Sequence, residues 1–325
     1  MIQVNNFIEI CQMTQQEVKA FMKDYLTSQK YDVIDEDGFL YAKGDIPVLL
    51  VAHMDTVHKE KCADISISDG RISSKQGIGG DDRCGVFIIS EIVKELHCSV
   101  LLCEDEESGG IGAKKFTDTD YINNLDVNYM IEFDRKGNND AVFYSCDNKE
   151  FTRFVVDATG FEHAYGSFSD ISVLMPAAKL SAVNLSSGYY NAHSVTEYVV
   201  WLDMTNTIEA ARELIKTECN GPFEYVAKKY SSGNYRSCTF FDDLYRYQNG
   251  YQYNFDDYEA QLPGNNTARL AKDDKNIELE IIIPSEEMVE DVKYYSGNTK
   301  AECWMDFFMD NPDICFNDII TYSFS

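Results

Sequence analysis

The spacing of apolar residues predicts alternating helices and strands over residues 1–217. One helical spacing lies in QEVKAFMKDYLTSQ, whose apolar positions share one face: Val18, Phe21, Met22 and Leu26. The preceding TQQE, residues 14–17, matches a capping box, which satisfies free backbone N–H groups at the start of a helix. We therefore expect a helix of about four turns that begins after Thr14.

Short apolar runs predict the strands of a sheet. They occupy residues 47–52, 98–103, 127–134 and 179–186. The segment ISISDGRISS adds a hairpin that turns at Asp69-Gly70. Helical spacings lie between and after these runs, at residues 80–97, 111–116 and 204–217. Because strands alternate with helices, the chain is expected to form an α/β layer fold with a largely parallel sheet.

The composition changes in the last third of the chain. Residues 221–267 are rich in Tyr, Asp, Asn and Gly and have weak periodicity. Residues 275–295, KNIELEIIIPSEEMVEDVKYY, predict a strand and then a short helix, so an ordered segment is expected. We place a domain boundary near Cys219, which gives one domain over residues 1–219 and a C-terminal module of unknown role over residues 220–325.

A strong excess of acidic residues narrows the range of partners. The chain has 55 Asp and Glu residues against 28 Lys and Arg residues, a net charge of -27. Binding to nucleic acid or to an anionic membrane requires basic residues that replace counterions, so neither partner is expected. The acidity fits a solvated surface, and an acidic site that steers cationic ligands is the alternative.

The sequence favours a cytoplasmic protein with reduced thiols. No window has the uncharged apolar length of a membrane span, and the first ten residues, MIQVNNFIEI, do not resemble an export signal. The ten cysteines include no C-x-x-C pair, and a chain of 325 residues does not depend on disulfides for stability.

Each of three apolar runs leads into a segment that contains an acidic residue. VLLVA leads into HMD, SVLLC leads into EDEE, and NYMIE leads into FD. Ligand sites of open α/β sheets form at the carboxyl ends of strands, so these side chains are expected to share a site. His53 and Asp55 are two residues apart, so in an extended chain they leave on the same side. That spacing suits a carboxylate that orients a metal-bound imidazole.

Five short segments, taken in order, resemble the dizinc exopeptidases. They are HMD, GGDDRCG, EDEESGGIGA, EFD and NAHS, and the resemblance covers about residues 1–217. That family of co-catalytic zinc peptidases includes peptidase T, carboxypeptidase G, the glutamyl aminopeptidase group and the compact bacterial aminopeptidases. The resemblance implies a three-layer α/β/α sandwich with a mixed, largely parallel sheet, followed here by an extra C-terminal segment.

The resemblance also implies a set of metal ligands. Asp81 would bridge two ions, His53 and Asp134 would bind the first, and Glu107 and His193 would bind the second. Two histidines and three carboxylates are acceptable ligands for Zn²⁺ and offset three of the four positive charges of an ion pair. Two divalent ions are therefore expected, with Zn²⁺ favoured and Co²⁺ or Mn²⁺ as alternatives.

Two further residues take roles in the implied reaction. Asp55 would orient His53, and Glu106 would act as the general base, taking a proton from metal-activated water and passing it to the leaving amine. The implied enzyme is a dinuclear metallopeptidase that cleaves peptide bonds near a chain end, as an aminopeptidase does.

Other polar residues near these segments are given lesser roles. Asp82 is read as structural, in the first turn of a helix where a negative charge is favourable. Glu197 lies in SVTE, a capping-box pattern, and is read as local structure. His58 is read as a surface residue. FEHAYGSFSD is a candidate wall of a substrate pocket and contains Ser167 and Asp170.

The chain also departs from its larger relatives. Peptidase T-like enzymes insert a lid and dimerisation domain between the positions of Asp134 and His193, but only residues 135–192 separate them here. The tetrahedral-shell aminopeptidases insert a domain between the positions of His53 and Asp81, where only residues 54–80 intervene. A compact catalytic core is therefore expected.

Two rival functions stay open at this point. The same dinuclear site could serve an N-deacylase or amidohydrolase, so the substrate is either a peptide or an N-acyl amino acid. A binding or structural protein could retain the fold without turnover. The sequence does not decide end preference, side-chain preference or oligomeric state.

Overall fold

The computed structural model of the protein describes residues 2–58 and 60–228, together with four short strands farther along the chain. The chain divides into two compact units, Met1–Lys228 and Lys229–Ser325. All of the motifs with candidate chemistry lie in the first unit.

The first unit alternates strands and helices. Its strands are β1 (Val33–Glu36), β2 (Phe39–Ala42), β3 (Ile46–His53), β4 (Ile65–Ser68), β5 (Arg71–Ser74), β6 (Cys98–Cys103), β7 (Tyr129–Arg135), β8 (Asp140–Val142), β9 (Glu162–Ala164), β10 (Ala182–Ser186), β11 (Tyr189–Tyr190) and β12 (Tyr198–Val200). Its helices are α1 (Val4–Cys11), α2 (Gln15–Ser28), α3 (Gly80–Ile92), α4 (Ile111–Thr117), α5 (Asp120–Asn123), α6 (Lys149–Thr159), α7 (Asp170–Ala178) and α8 (Trp201–Lys216).

Eight strands form the main sheet, in the order β1-β2-β6-β3-β7-β10-β8-β9. The four central strands β6, β3, β7 and β10 are mutually parallel, whereas β1, β2 and β8 add antiparallel pairs towards the edges. The carboxyl ends of the central strands therefore meet at one edge of the sheet. The predicted mixed, largely parallel sheet is confirmed.

Helices cover both faces of this sheet. Helices α3 and α8 pack on one face, and α4 and α7 pack on the other. Successive residues of β3 alternate between the two cores, because Leu50 belongs to the core beneath α3 while Leu49 and Val51 belong to the core beneath α7. A strand buried on both faces needs apolar residues at every position, which is why the predicted runs read as continuous hydrophobic segments.

Helix α2 begins as its capping box predicts. The Thr14 hydroxyl accepts a hydrogen bond from the Glu17 N–H at 3.3 Å, and the Glu17 carboxylate accepts one from the Thr14 N–H at 2.8 Å. Val18, Met22 and Leu26 are buried, and Phe21 is partly buried against the same core. The amphipathic spacing therefore identified the buried face correctly.

Four helices, α1, α5, α6 and α7, lie outside the elements that the sequence pattern predicts. Helix α1 has only eight residues, and α7 has nine and contains Pro176. Such short helices present too few turns for a clear spacing, and their stability comes from packing on the rest of the fold.

A second, smaller sheet supports the segment around His193. Its strand order is β11-β12-β5-β4, with antiparallel pairs throughout. The hairpin of β4 and β5 turns at Asp69 and Gly70, which both have positive φ, as the predicted Asp-Gly turn requires. Pairing of β12 with β5 ties the end of the His193 segment to the chain just before α3.

The nine residues after the predicted boundary at Cys219 pack against the first unit. Phe223 is buried, and its N–H donates to the carbonyl of Asn128. Farther on, Ala227 forms an isolated β-bridge with Cys146. The first compact unit accordingly extends to Lys228.

The second unit is described only as two antiparallel strand pairs. Strand β13 (Glu259–Gln261) pairs with β14 (Thr267–Arg269), and β15 (Ala271–Asp273) pairs with β16 (Asn276–Glu278). The helix predicted after the strand in residues 275–295 lies outside the described residues. The division at residue 219 and the role of the C-terminal module stay predictions.

Two features of the described part of the chain concern membrane spans and thiols. Among the described helices, none combines the length and the hydrophobicity that a membrane span requires. The cysteines there are free thiols and include six buried ones, at positions 11, 62, 84, 98, 103 and 146.

Candidate metal centre

The carboxyl edge of the central sheet carries the residues that the sequence predicts for the site. Strand β3 ends at His53, the Glu106-Glu107 pair follows β6, and Asp134 lies near the end of β7. Asp81 precedes the helical turns of α3, a helix that is buried along its whole length. His193 comes from the loop between β11 and β12.

The two oxygens of Asp81 face two different histidines. Asp81 Oδ1 lies 3.1 Å from His53 Nε2, and Asp81 Oδ2 lies 3.2 Å from His193 Nε2. On the first side, His53 Nε2 is also 3.6 Å from Asp134 Oδ1. On the second side, His193 Nε2 is 3.1 Å from Glu107 Oε1. The structure thus brings the five predicted ligands into two groups that share Asp81.

Asp55 fixes the orientation of His53. Its Oδ1 lies 3.1 Å from His53 Nδ1, so that nitrogen donates to the carboxylate and Nε2 is left towards Asp81. The same carboxylate accepts the N–H of Glu106 at 3.0 Å and the N–H of Glu107 at 3.1 Å. One side chain therefore connects the end of β3 with the loop after β6.

Asp82 has a different environment from Asp81, although the two are adjacent and joined by a cis peptide bond. Its carboxylate accepts the N–H of Gly85 at 2.8 Å and the N–H of His53 at 3.3 Å. The first bond caps the helical part of α3. Asp82 therefore precedes the first helical turn in which it was expected, because Asp81 and Asp82 have non-helical φ and ψ angles. Asp82 also lies in a group with His53 and Asp134 whose atoms are close enough to hold an ion.

Asp134 forms hydrogen bonds with side chains of the neighbouring strand β10 and of β11. Its N–H donates to Asn184 Oδ1 at 2.8 Å, and the hydroxyl of Tyr189 donates to Asp134 Oδ1 at 3.2 Å. Burial and the nearby carboxylate of Asp81 raise the pKa of Asp134 to about 7. The position of this carboxylate is therefore set by both the peptide backbone and a tyrosine.

The site concentrates acids in a buried setting. Burial, with the charges of Asp134 and Asp170 adding to it, raises the pKa of Glu106 to about 9. Burial and the charge of Asp81 also raise the pKa of Glu107. Asp81 differs, because hydrogen bonds from His193 and His53 outweigh its burial and lower its pKa. Burial is the largest cause of the raised values, and the neighbouring carboxylates add to it, so a divalent cation would favour the ionised forms of both glutamates.

The residues fit a metal site by their chemistry. They offer imidazole nitrogens and carboxylate oxygens, the donor types that Zn²⁺ and related ions take in proteins. Atoms of His53, Asp81 and Glu107 lie close enough together to hold an ion. Glu107 Oε1 is buried and accepts no hydrogen bond from the described residues, even though His193 Nε2 is 3.1 Å away. A buried acceptor without a donor is costly, and a cation would satisfy it.

Glu197 and His58 have environments that differ from the predicted ones. Glu197 is buried and does not form a local cap, because its carboxylate accepts the N–H groups of Gly79 at 2.8 Å and Asp81 at 3.0 Å. His58 Nε2 lies 2.8 Å from the same carboxylate, and the His58 side chain is only 13% exposed. His58 is therefore not a surface residue. No spacing in the sequence signals these contacts, since they join residues more than 100 positions apart.

The predicted pocket wall at residues 161–170 divides into exposed and buried parts. Ser167 is exposed. Asp170, in the first turn of α7, is fully buried, and neither of its oxygens accepts a hydrogen bond from the described residues. Burial raises the pKa of Asp170 to about 6.

Comparison with known proteins identifies the fold. No protein-family model matches the chain. No curated protein matches it. Among solved structures, the aminopeptidase PepT from Bacillus cereus ATCC 10987 has a TM-score of 0.55 at 17% sequence identity, covering 65% of this chain and 96% of that chain. The aminopeptidase APDkam598 from the archaeon Desulfurococcus kamchatkensis has a TM-score of 0.50 at 14% identity, covering 66% of this chain and 95% of that chain. The chain has the α/β fold of these aminopeptidases, which confirms the predicted resemblance at the level of fold.

Proposed function

We propose that the protein is a metal-dependent hydrolase that cleaves peptide bonds near a chain end, as an aminopeptidase does. The observation that carries the proposal is the position of Asp81, whose two oxygens face His53 on one side and His193 on the other at 3.1 and 3.2 Å. A carboxylate placed in this way suits a bridge between two cations. The shared fold of two aminopeptidases supports the same reaction class by analogy.

The proposed cofactor is a pair of divalent ions, with Zn²⁺ favoured. His53, Asp81 and Asp134 would hold one ion, and His193, Asp81 and Glu107 would hold the other. When bound, such a pair lowers the pKa of water and polarises the carbonyl of the scissile bond.

Glu106 is the proposed general base. Its neighbour Glu107 faces His193, and its own N–H donates to Asp55, so the Glu106 backbone lies beside the proposed ligands. Burial raises the pKa of the Glu106 carboxyl to about 9 without metal, and nearby cations would lower it again. An ionised Glu106 takes a proton from the attacking water and then gives it to the leaving amine.

Asp55 supports this chemistry by orienting a proposed ligand and the loop after β6. It holds the His53 ring in the tautomer that leaves Nε2 towards Asp81, and it fixes the peptide groups of Glu106 and Glu107. The proposed ligands and base therefore depend on one buried hydrogen-bond network. A cytoplasmic location and a peptide substrate stay predictions that accompany this proposal.

The test is metal content followed by activity. Protein purified without chelators is analysed by mass spectrometry, and about two equivalents of a divalent metal per chain are expected. A panel of aminoacyl-anilides, N-blocked peptides and N-acyl amino acids then assigns the substrate. Hydrolysis of the anilides supports an aminopeptidase, and hydrolysis restricted to N-acyl amino acids would indicate the deacylase instead. Absence of bound metal after addition of Zn²⁺, Co²⁺ or Mn²⁺ contradicts the proposal.

A further inference from the structure

Glu197 makes three hydrogen bonds to two segments remote in sequence. Oε2 accepts the N–H of Gly79 at 2.8 Å, and Oε1 accepts the N–H of Asp81 at 3.0 Å. His58 Nε2 lies 2.8 Å from Oε2. The side chain is 1% exposed, so solvent does not compete for these donors. A buried carboxylate with three donors is a well-satisfied group whose removal leaves all three unpaired.

The three segments that meet at Glu197 each carry one proposed metal ligand. His58 follows His53, Gly79 precedes Asp81, and Glu197 follows His193 in the loop that leads to β12. We define these contacts, from Glu197 to His58, Gly79 and Asp81, as the Glu197 brace. It therefore links the chain segments of three ligands without using any ligand side chain.

Close packing around the brace limits how far the segments can move. A Cβ at Gly77 would lie 2.1 Å from Cε1 of His58, so the imidazole rests directly on the backbone of that glycine. A Cβ at Gly80 would lie 2.7 Å from Cβ of Tyr189 and 2.8 Å from Cγ2 of Val199. Both glycines are needed for this approach, and the loop before α3 has little freedom to shift.

We propose that Glu197 is a positioning residue that sets the backbone at Asp81 and so aims its two oxygens at the two cation positions. The inference rests on the proposed dinuclear site. A bridging carboxylate is sensitive to small rotations, because each oxygen must serve a different ion. The hydrogen bond from the Asp81 N–H to the buried Glu197 carboxylate fixes the backbone from which the Asp81 side chain extends. Groups of this kind, one step removed from the metal, alter metal affinity about 10–100-fold when they are lost.

The experiment measures Zn²⁺ affinity by competition with a chromogenic chelator. Glu197→Ala removes the brace, and Glu197→Gln keeps its shape but turns an amide NH₂ towards a backbone N–H. His58→Ala removes one of the three bonds. Glu91→Gln is the matched control, because Glu91 is also a buried glutamate, on α3, and pairs with Lys94. Affinity about 10–100-fold weaker in Glu197→Ala, with a smaller loss in the other two brace variants and none in Glu91→Gln, is expected.

The melting temperature of each metal-free variant separates positioning from a merely structural role. A structural role would lower that temperature but leave the affinity of the folded protein unchanged, and this result overturns the inference. If Glu197→Ala fails to fold, Glu197→Gln and His58→Ala decide the matter by the same criterion. Unchanged affinity in every folded brace variant also overturns it.

Amide hydrogen exchange distinguishes failure of this inference from failure of the proposed function. Wild-type protein that binds no metal contradicts the function, yet the brace still predicts slow exchange at Gly79 and Asp81 in metal-free protein. Faster exchange at these two amides in Glu197→Gln, with the amides of α3 beyond Asp82 unchanged, supports the brace. Equal exchange rates in wild type and variant contradict it.

Discussion

Asp55 accepts a hydrogen bond from His53 Nδ1 at 3.1 Å, and this contact decides which ring nitrogen of His53 faces Asp81. Burial lowers the pKa of His53, but contacts with Asp134, Asp55 and Asp81 outweigh it and raise that pKa well above its ordinary value. In a metal-bound protein the His53 ring would be neutral, and the Asp55 carboxylate would keep the Nδ1 proton in place.

Asp55→Ala is expected to weaken metal binding about 10–100-fold, because it frees the His53 ring and two backbone N–H groups. The measurement is chelator competition with Zn²⁺. Asp126→Ala serves as the control, since Asp126 is exposed and lies 3.7 Å from Lys43 at the surface. Equal Zn²⁺ affinities of the Asp55 variant and the control would contradict the proposed role of Asp55 in orienting His53.

Variants of the adjacent residues Glu106 and Glu107 distinguish the role of a general base from that of a metal ligand. Glu106→Gln should lower turnover by about 10²–10⁴-fold while two metal equivalents stay bound, because a general base is not a ligand. Glu107→Gln should lose about one equivalent, since Glu107 faces His193 at 3.1 Å. Turnover and metal content measured on the same preparations give the answer. Near wild-type turnover in Glu106→Gln would refute the role assigned to it.

The shared position of Asp81 predicts unequal effects of ligand removal. Asp81→Asn should reduce the occupancy of both ions, because its two oxygens face the two histidines. His193→Ala should reduce mainly one, because His193 contacts only Glu107 and Asp81 among the proposed ligands. Metal-to-protein ratios after dialysis against a weak chelator test this difference. Two tightly bound equivalents in Asp81→Asn would exclude a bridging role.

Metal binding should release protons at neutral pH. Without metal, the carboxylates of Asp81 and Glu107 next to Nε2 raise the pKa of His193, so its imidazole holds a proton that a ligand cannot keep. The apparent metal affinity should therefore rise with pH, because a higher pH removes the competing proton from His193. Calorimetric titration in two buffers of different ionisation enthalpy measures the release. Binding heats that do not depend on the buffer would contradict this prediction.

The fold was largely predictable because its central strands are buried on both faces. Residues 47–52 and 98–103 are continuous apolar runs for that reason, and each ends where a polar side chain is needed. The capping box at Thr14 and the Asp69-Gly70 turn depend on neighbours in sequence, so local rules identify them. Helix α7 depends on tertiary packing, and the pattern did not reveal it.

The site was predictable only as far as its motifs are local. His53 and Asp55 are near neighbours at a strand end, and the order of the other segments indicated which acids join them. Glu197 was not predictable in this way. Ser194 and Glu197 have the spacing of a capping box, but the Glu197 carboxylate accepts the N–H of the distant Gly79. Asp170 was expected on a pocket wall, and its full burial depends on packing that no sequence pattern records.

The capping box of α2 offers a stability prediction independent of metal. Thr14→Ala removes the acceptor for the Glu17 N–H and is expected to cost about 1 kcal/mol of unfolding free energy, a fall of roughly 2–4 °C in melting temperature. Thr27→Ala is the matched control, because Thr27 is exposed near the end of the same helix and alanine has the higher helix propensity. Thermal unfolding in the presence of chelator compares the two variants with wild type. Because the cap acts only at the first turn, equal melting temperatures for Thr14→Ala and Thr27→Ala would mean that this hydrogen bond contributes nothing to the stability of the unit.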